Sequence, residues 1–225
     1  MTKNYTFCLK QTSVDKFKYK CSQVFLFMCI LLFALSIYIN VTYSVVAVNG
    51  LSMYPTLNDS SEYNAVSHYD KVVLNYIKSY YVGDIIVAKR VESSTENVKY
   101  VIKRLIAVGG DRVKVEEDGS IYVNGDLLNE NYNINSKQTT YEKFTRLKDS
   151  NIKIDDKEIF VDDEMVVPKG YVFYLGDNRA NSYDCGNYGP VKESNVLAKV
   201  DFIIKDGESN FLSIFKQIFG GKRVW

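Results

Sequence analysis

"VKYVIKRLIAVGGD" (98–111) sets two adjacent basic residues, Lys103 and Arg104, inside a run of Val, Ile and Leu. The β-branched run, closed by Gly109-Gly110, reads as a strand. With a period of two, Lys103 shares a face with Val101 and Leu105, and Arg104 shares the other with Ile102 and Ile106. Whichever face is buried, one basic side chain must meet apolar surroundings. Either this is an edge strand whose lysine reaches back to solvent, or the lysine is desolvated for a purpose. The stretch alone leaves both readings open.

Further runs of strand character lie on either side: "KVVLNYI" (71–77), "DIIVAK" (84–89), "YVFYLGD" (171–177) and "VLAKVDFII" (196–204). "DRVKVEEDGSIYVNG" (111–125) has two alternating arms joined around Asp118-Gly119, the pattern of a hairpin. The interval 127–168 is polar and irregular, and reads as an insertion on the β core. The expected fold is therefore mainly β, with no internal repeat and no phosphate-binding Gly loop.

Composition narrows the function. The 225 residues are 46% hydrophobic and 24% charged, as in a globular protein. A net charge of +1 gives no global reason to expect nucleic acid as a partner. Cys8, Cys21, Cys29 and Cys185 form neither a metal-binding CxxC cluster nor a disulfide framework. Cys185 reads as a buried, inert thiol. No metal or cofactor is expected.

No charge occurs from Cys21 to Asn58, and "VFLFMCILLFALSIYINV" (24–41) is about long enough to cross a bilayer, which takes ~20 apolar residues. A cleaved secretory signal has a shorter apolar core, so the expectation is a transmembrane anchor over 21–45. Lys3, Lys10, Lys16, Lys18 and Lys20 precede it against Asp15, whereas Asp59 and Glu62 follow it. The positive-inside rule then assigns 1–20 to the cytoplasm and 46–207 to an extracytoplasmic domain at the plasma membrane. In the tail, 208–225, Phe211, Leu212, Ile214, Phe215, Ile218 and Phe219 recur at helical spacing. The tail is expected to be an amphipathic helix, packed on the domain or lying on the membrane.

Just beyond the anchor is "GLSMYPTLN" (50–58). Ser52 is a nucleophile only if a base takes its proton. His68, the single histidine, sits in "AVSHYDK" with no motif around it. A lysine serves instead only if desolvation lowers its pKa from about 10.4, at a cost of roughly 3–4 kcal/mol for two to three units. Lys103 has the setting for that. A third stretch, "YLGDNRANSYDCGNYGPV" (174–191), crowds Asp177, Asn178, Arg179, Asn181, Ser182 and Asp184 behind an apolar strand. Alone it reads as a polar surface loop.

Together with the anchor, "SMYPTL", "GDIIVAK", "IKRLIAVGGD" and "GDNRANSYDCGNYGPV" resemble, in order and spacing, the motifs of bacterial type I signal peptidases, a family of membrane serine proteases. The resemblance implies a β-rich catalytic domain with a small insertion. It implies Ser52 as nucleophile, Lys103 as general base and Ser182 as the residue that orients the lysine. Arg104 and Asp177 become a pair in the active-site wall, and Asp184 a further support. The Ser52 backbone N–H becomes an oxyanion donor. Where some members carry a serine two positions before the nucleophile, this chain has Gly50, as in Gram-positive-like members. Met53 and Tyr54, by adjacency, are expected to line the substrate cleft. Gly186 stands where the family usually has Arg, so Asp184 is expected to lack its ion-pair partner. Cys185 replaces a usual Ser; a cysteine nucleophile there lacks the His and Arg it would need.

The implied function is removal of signal peptides from secretory pre-proteins after small residues, beside membrane lipid and near the secretion channel. Two alternatives are a processing peptidase of the same fold with few precursors, and an inactive, tethered peptide-binding domain.

Overall fold

The computed structural model describes residues 3–59, 68–77, 79–91, 98–132 and 137–207. The tail expected to be an amphipathic helix lies outside them. The chain divides into two compact units at Tyr43/Ser44.

The first unit is a single helix, α1 (Lys3–Thr42). Within it, Asp15–Thr42 is 28 residues long and apolar enough to cross a membrane. At about 1.5 Å per residue it extends about 42 Å. Phe25, Leu32 and Phe33 are exposed on it. A helix apolar all round is one that belongs in lipid or in a large core.

The second unit is built on sheets. Its strands are β1 (Tyr43–Ala47), β2 (Lys71–Asn75), β3 (Ile85–Val91), β4 (Val98–Val108), β5 (Arg112–Val115), β6 (Ile121–Val123) and β7 (Asp126–Leu127). The interval that follows holds α2 (Lys137–Asp149), β8 (Lys153–Ile154), β9 (Lys157–Glu158), β10 (Phe160–Val161) and β11 (Glu164–Val166). Then come β12 (Tyr171–Leu175), α3 (Cys185–Tyr188), β13 (Val191–Lys192) and β14 (Val196–Ile204). The larger sheet has seven strands in the order β1-β2-β14-β3-β4-β12-β13. The smaller has five, β10-β11-β5-β6-β7, and contains the expected hairpin, with Val113 opposite Val123 and Val115 opposite Ile121.

β4 is an interior strand of the larger sheet, so the edge-strand reading of Lys103 does not hold. Its N–H and C=O groups face β3 and β12, with Lys103 opposite Ile86 and Arg104 opposite both Ile85 and Leu175. Both faces are covered: Lys103, Arg104, Leu105, Ile106 and Ala107 are all buried. One core joins Leu105, Ile106 and Ala107 to Phe173, Leu175 and Met165; a second gathers Val48, Met53 and Leu57 over Val72, Leu74 and Ile85.

Residues 127–168 are more regular than their composition suggested. Thr140, Lys143, Phe144 and Leu147 form the buried face of α2. Half of that face is polar, which hid the helical period of its apolar residues.

Candidate active site

The Ser52 loop is held by side chains rather than by a ladder. Asn58 donates through Nδ2 to the carbonyls of Val48 (3.0 Å) and Gly50 (2.9 Å). Its backbone N–H donates to Asp70 Oδ2 (2.8 Å), and its Oδ1 accepts from the Asp70 N–H (2.8 Å). From the opposite side, the Asn178 N–H donates to the Ser52 carbonyl (3.1 Å), and Asn178 Nδ2 to the Leu51 carbonyl (3.0 Å). Met53 and Leu57 plug the loop into the core beneath. Gly50 has φ +97°, a conformation a residue with a Cβ rarely takes.

Lys103 Nζ lies 2.7 Å from Ser52 Oγ, donating to it, and donates also to the Ile102 carbonyl at 2.8 Å. The lysine is 4% exposed. Burial lowers its pKa to about 8; Asp184, Asp177 and Cys185 act in the other direction, and the Arg90 cation adds to the lowering. A serine hydroxyl and an amine poised to be neutral therefore share one hydrogen bond, the geometry that proton abstraction needs.

Arg104 leaves the same strand on the other face. It meets Asp177 through two bonds, Nε to Oδ1 (2.8 Å) and Nη2 to Oδ2 (2.6 Å), with both side chains buried. Thr56 Oγ1 also donates to Asp177 Oδ2 (2.5 Å), which ties the pair to the Ser52 loop. Arg104 Nη1 donates to the Gly83 carbonyl (2.8 Å), and the guanidinium lies 3.9 Å from the centre of the Tyr132 ring.

Asp184 caps α3. Its carboxylate accepts from the N–H groups of Gly186 (3.2 Å) and Gly176 (3.0 Å). The expectation that it lacks a cationic neighbour is corrected here. Lys143, reaching in from α2, brings Nζ within 3.8 Å of Asp184 Oδ1. The cation comes from the insertion, 41 positions back in the chain, where local spacing gives no hint of it.

Ser182 is buried beside these groups, but its hydroxyl has no hydrogen-bond partner among the described residues. The expected bond to Lys103 is not formed, since the amine is turned to Ser52 and the Ile102 carbonyl. Gly176 allows the close packing here: a Cβ on it would lie 2.3 Å from Ser182 Oγ and 2.5 Å from the Ser52 carbonyl oxygen.

A cavity of about 630 Å³ opens beside Ser52 and Lys103. Val48, Val72, Leu74, Val87 and Ile102 give it apolar walls. Met53 and Tyr54 are not among its lining residues. Met53 is 1% exposed, drawn into the core by its apolar side chain, and Tyr54 points to solvent. The two side chains thus part, Met53 into the core and Tyr54 outward, because successive loop residues turn in different directions.

His68 is far from this chemistry in bonding terms: its Nδ1 meets Asp206 Oδ2 (2.9 Å) at the surface. Cys185 is fully buried and burial pushes its thiol pKa up, which opposes a thiolate nucleophile. Among the described residues no cluster of three His, Cys, Asp or Glu side chains could hold a metal. Sequence reasoning gave no role to Asn58, Thr56, Lys143 or Asn178. Asn178 stood in a quoted motif, but its partners lie 126 and 127 positions away.

The family described as "Signal peptidase, peptidase S26" matches residues 21–205. Signal peptidase I V of Bacillus subtilis (strain 168) is 30% identical over 163 residues, 72% of this chain and 83% of that protein. Signal peptidase IB of Staphylococcus aureus is 32% identical over 158 residues, 69% of this chain and 74% of that protein. Thylakoidal processing peptidase 1, chloroplastic, of Arabidopsis thaliana is 30% identical over 163 residues, 69% of this chain, which spans 40% of the plant protein. The match runs from the apolar helix through both sheets and takes in Ser52, Lys103 and the 174–191 loop, so the chain belongs to the signal peptidase family, peptidase S26.

Proposed function

We propose that this chain is a membrane-anchored serine endopeptidase that removes signal peptides from exported pre-proteins, with Ser52 as nucleophile and Lys103 as general base. The observation that carries the reading is the 2.7 Å contact between Lys103 Nζ and Ser52 Oγ, with the lysine buried and its pKa lowered to about 8. In the neutral state Lys103 accepts the Ser52 proton as Oγ attacks the scissile carbonyl. The resulting ammonium then protonates the leaving amine, and an ester to Ser52 remains. Water adds to that ester, giving its proton to Lys103; the bond to Ser52 Oγ then breaks, Lys103 returns the proton to Oγ, and the signal peptide leaves as a carboxylic acid. The developing oxyanion is met by the Ser52 backbone N–H; Gly50 offers no side-chain donor.

The apolar cavity beside the pair suits an extended segment with small apolar side chains. A helix long and apolar enough to cross a membrane ends just before the Ser52 loop. Charges flanking it favour a cytoplasmic N-terminus and an extracytoplasmic site. There the anchor holds the peptidase beside lipid and close to where the secretion channel releases its substrates.

The test is cleavage of a pre-protein with an Ala-X-Ala site by the full chain in detergent. Ser52→Ala and Lys103→Met are each expected to abolish it. For the wild type, kcat/KM rises with pH through about 8 as Lys103 loses its proton. Wild-type cleavage by either variant would sink the mechanism.

A further inference from the structure

Lys143 is a cation in an unusual place. It belongs to α2, in the interval between the β5–β7 strands and β11, yet it is 7% exposed and serves a loop of the other sheet. Its Nζ donates to the Arg179 carbonyl (2.8 Å) and to the Ser182 carbonyl (2.5 Å), and lies 3.8 Å from Asp184 Oδ1. One ammonium thus ties together three residues of the loop that runs past Lys103. Gly186 lies alongside: a Cβ there would meet Asp184 Oδ1 at 3.2 Å and the Lys143 Cδ at 3.4 Å. We propose that Lys143 is a positioning residue, through which the insertion helix fixes the Ser182–Asp184 loop against the Ser52–Lys103 pair.

The charge has a second consequence. The groups acting on Lys103 are Asp184, Arg90, Asp177 and Cys185, and among the charges that raise its pKa Asp184 is foremost. Burial lowers the Lys143 pKa, Asp184 opposes that, and Arg179 and Arg146 add to the lowering, so the charge that Lys143 sets against Asp184 is present at the acidic end of the range. Lys143 partly neutralises Asp184. Without it, Asp184 favours the Lys103 ammonium more strongly, and the base is neutral only at higher pH. Loss of Lys143 therefore lowers turnover and moves the acidic limb of the pH profile upward.

The inference rests on the Ser52–Lys103 reading, and one experiment separates the two. The full chain in detergent is assayed on a synthetic peptide with an Ala-X-Ala site, from about pH 6 to 10, with a melting curve for each variant. Lys143→Met is expected to lower kcat about tenfold or more with little change in KM, and to move the acidic limb up by several tenths of a pH unit. Lys143→Arg, which keeps the charge and the donors, is expected to restore the limb. A folded Lys143→Met with wild-type kcat and an unmoved limb overturns the proposal, as does a loss of kcat that Lys143→Arg shows equally. Should Lys143→Met not fold, Lys143→Gln is read in its place; failure of both to fold also overturns it, since Lys143 is then a core fastening. Activity surviving in Ser52→Ala or Lys103→Met would instead refute the underlying pair, whatever Lys143 does.

Discussion

Replacing Lys103 by Met is expected to make the protein more stable while disabling it. The folded protein holds this amine at about 8 against an ordinary 10.5. At about 1.4 kcal/mol for each factor of ten, it disfavours the buried ammonium by roughly 3–4 kcal/mol relative to the neutral amine. At about pH 7 the ammonium is present in both the folded and the unfolded chain, so the wild type carries that penalty in full. Met has nearly the same length and no charge. The substitution leaves Ser52 Oγ and the Ile102 carbonyl without the amine, two lost bonds and an offset of about 2 kcal/mol. The net gain is about 1–2 kcal/mol, or roughly 2–8 °C in Tm for a chain of this size. The sign with pH is fixed by linkage. Between about 8 and 10.5 the unfolded chain binds more protons than the folded one, so wild-type stability rises with pH across that window. The advantage of the variant therefore shrinks over the same range. Thermal unfolding of both proteins in detergent at about pH 7 and about pH 10 measures this, alongside a fall in kcat/KM of about 10³-fold or more. A variant less stable than wild type at pH 7, or a difference that does not change with pH, would refute the argument that burial tunes this lysine.

Asp177→Ala leaves the Arg104 guanidinium buried without its carboxylate, and is expected to destabilise by roughly 3–5 kcal/mol, read from the urea midpoint. Gly176→Ala drives a methyl group against the Ser52 carbonyl oxygen and Ser182 Oγ; kcat should fall on the order of 100-fold, because Ser52 must shift. Gly50→Ser adds a hydroxyl near the oxyanion region in a backbone with φ +97°; the expected result is a loss of about 1–2 kcal/mol in a melting experiment and no gain in kcat.

The strands around Lys103 were legible because each is a short β-branched run bounded by Gly, Asn or Asp, and local periodicity suffices to see that. The membrane-length helix was legible for the same reason: a helix without charge from Cys21 to Thr42 needs no tertiary partner to be recognised. α2 was not, since Thr140 and Lys143 occupy half of its buried face and blur the period. Met53 shows the converse failure. Its place beside Ser52 in the chain suggested the cleft, and its side chain went to the core.

Ser52 and Lys103, the proposed nucleophile and base, were singled out by motifs whose order and spacing are local to the chain. What no local pattern contains is the state of those residues. Lys103 is a strong base candidate because packing over its face of β4 buries the side chain, and because a loop 51 positions earlier delivers the Ser52 hydroxyl to its amine. The cation beside Asp184 likewise comes from a helix 41 positions back, and the clamp on the Ser52 carbonyl from Asn178. Desolvation and Coulomb interactions depend on distance in space, and only the folded chain sets those distances.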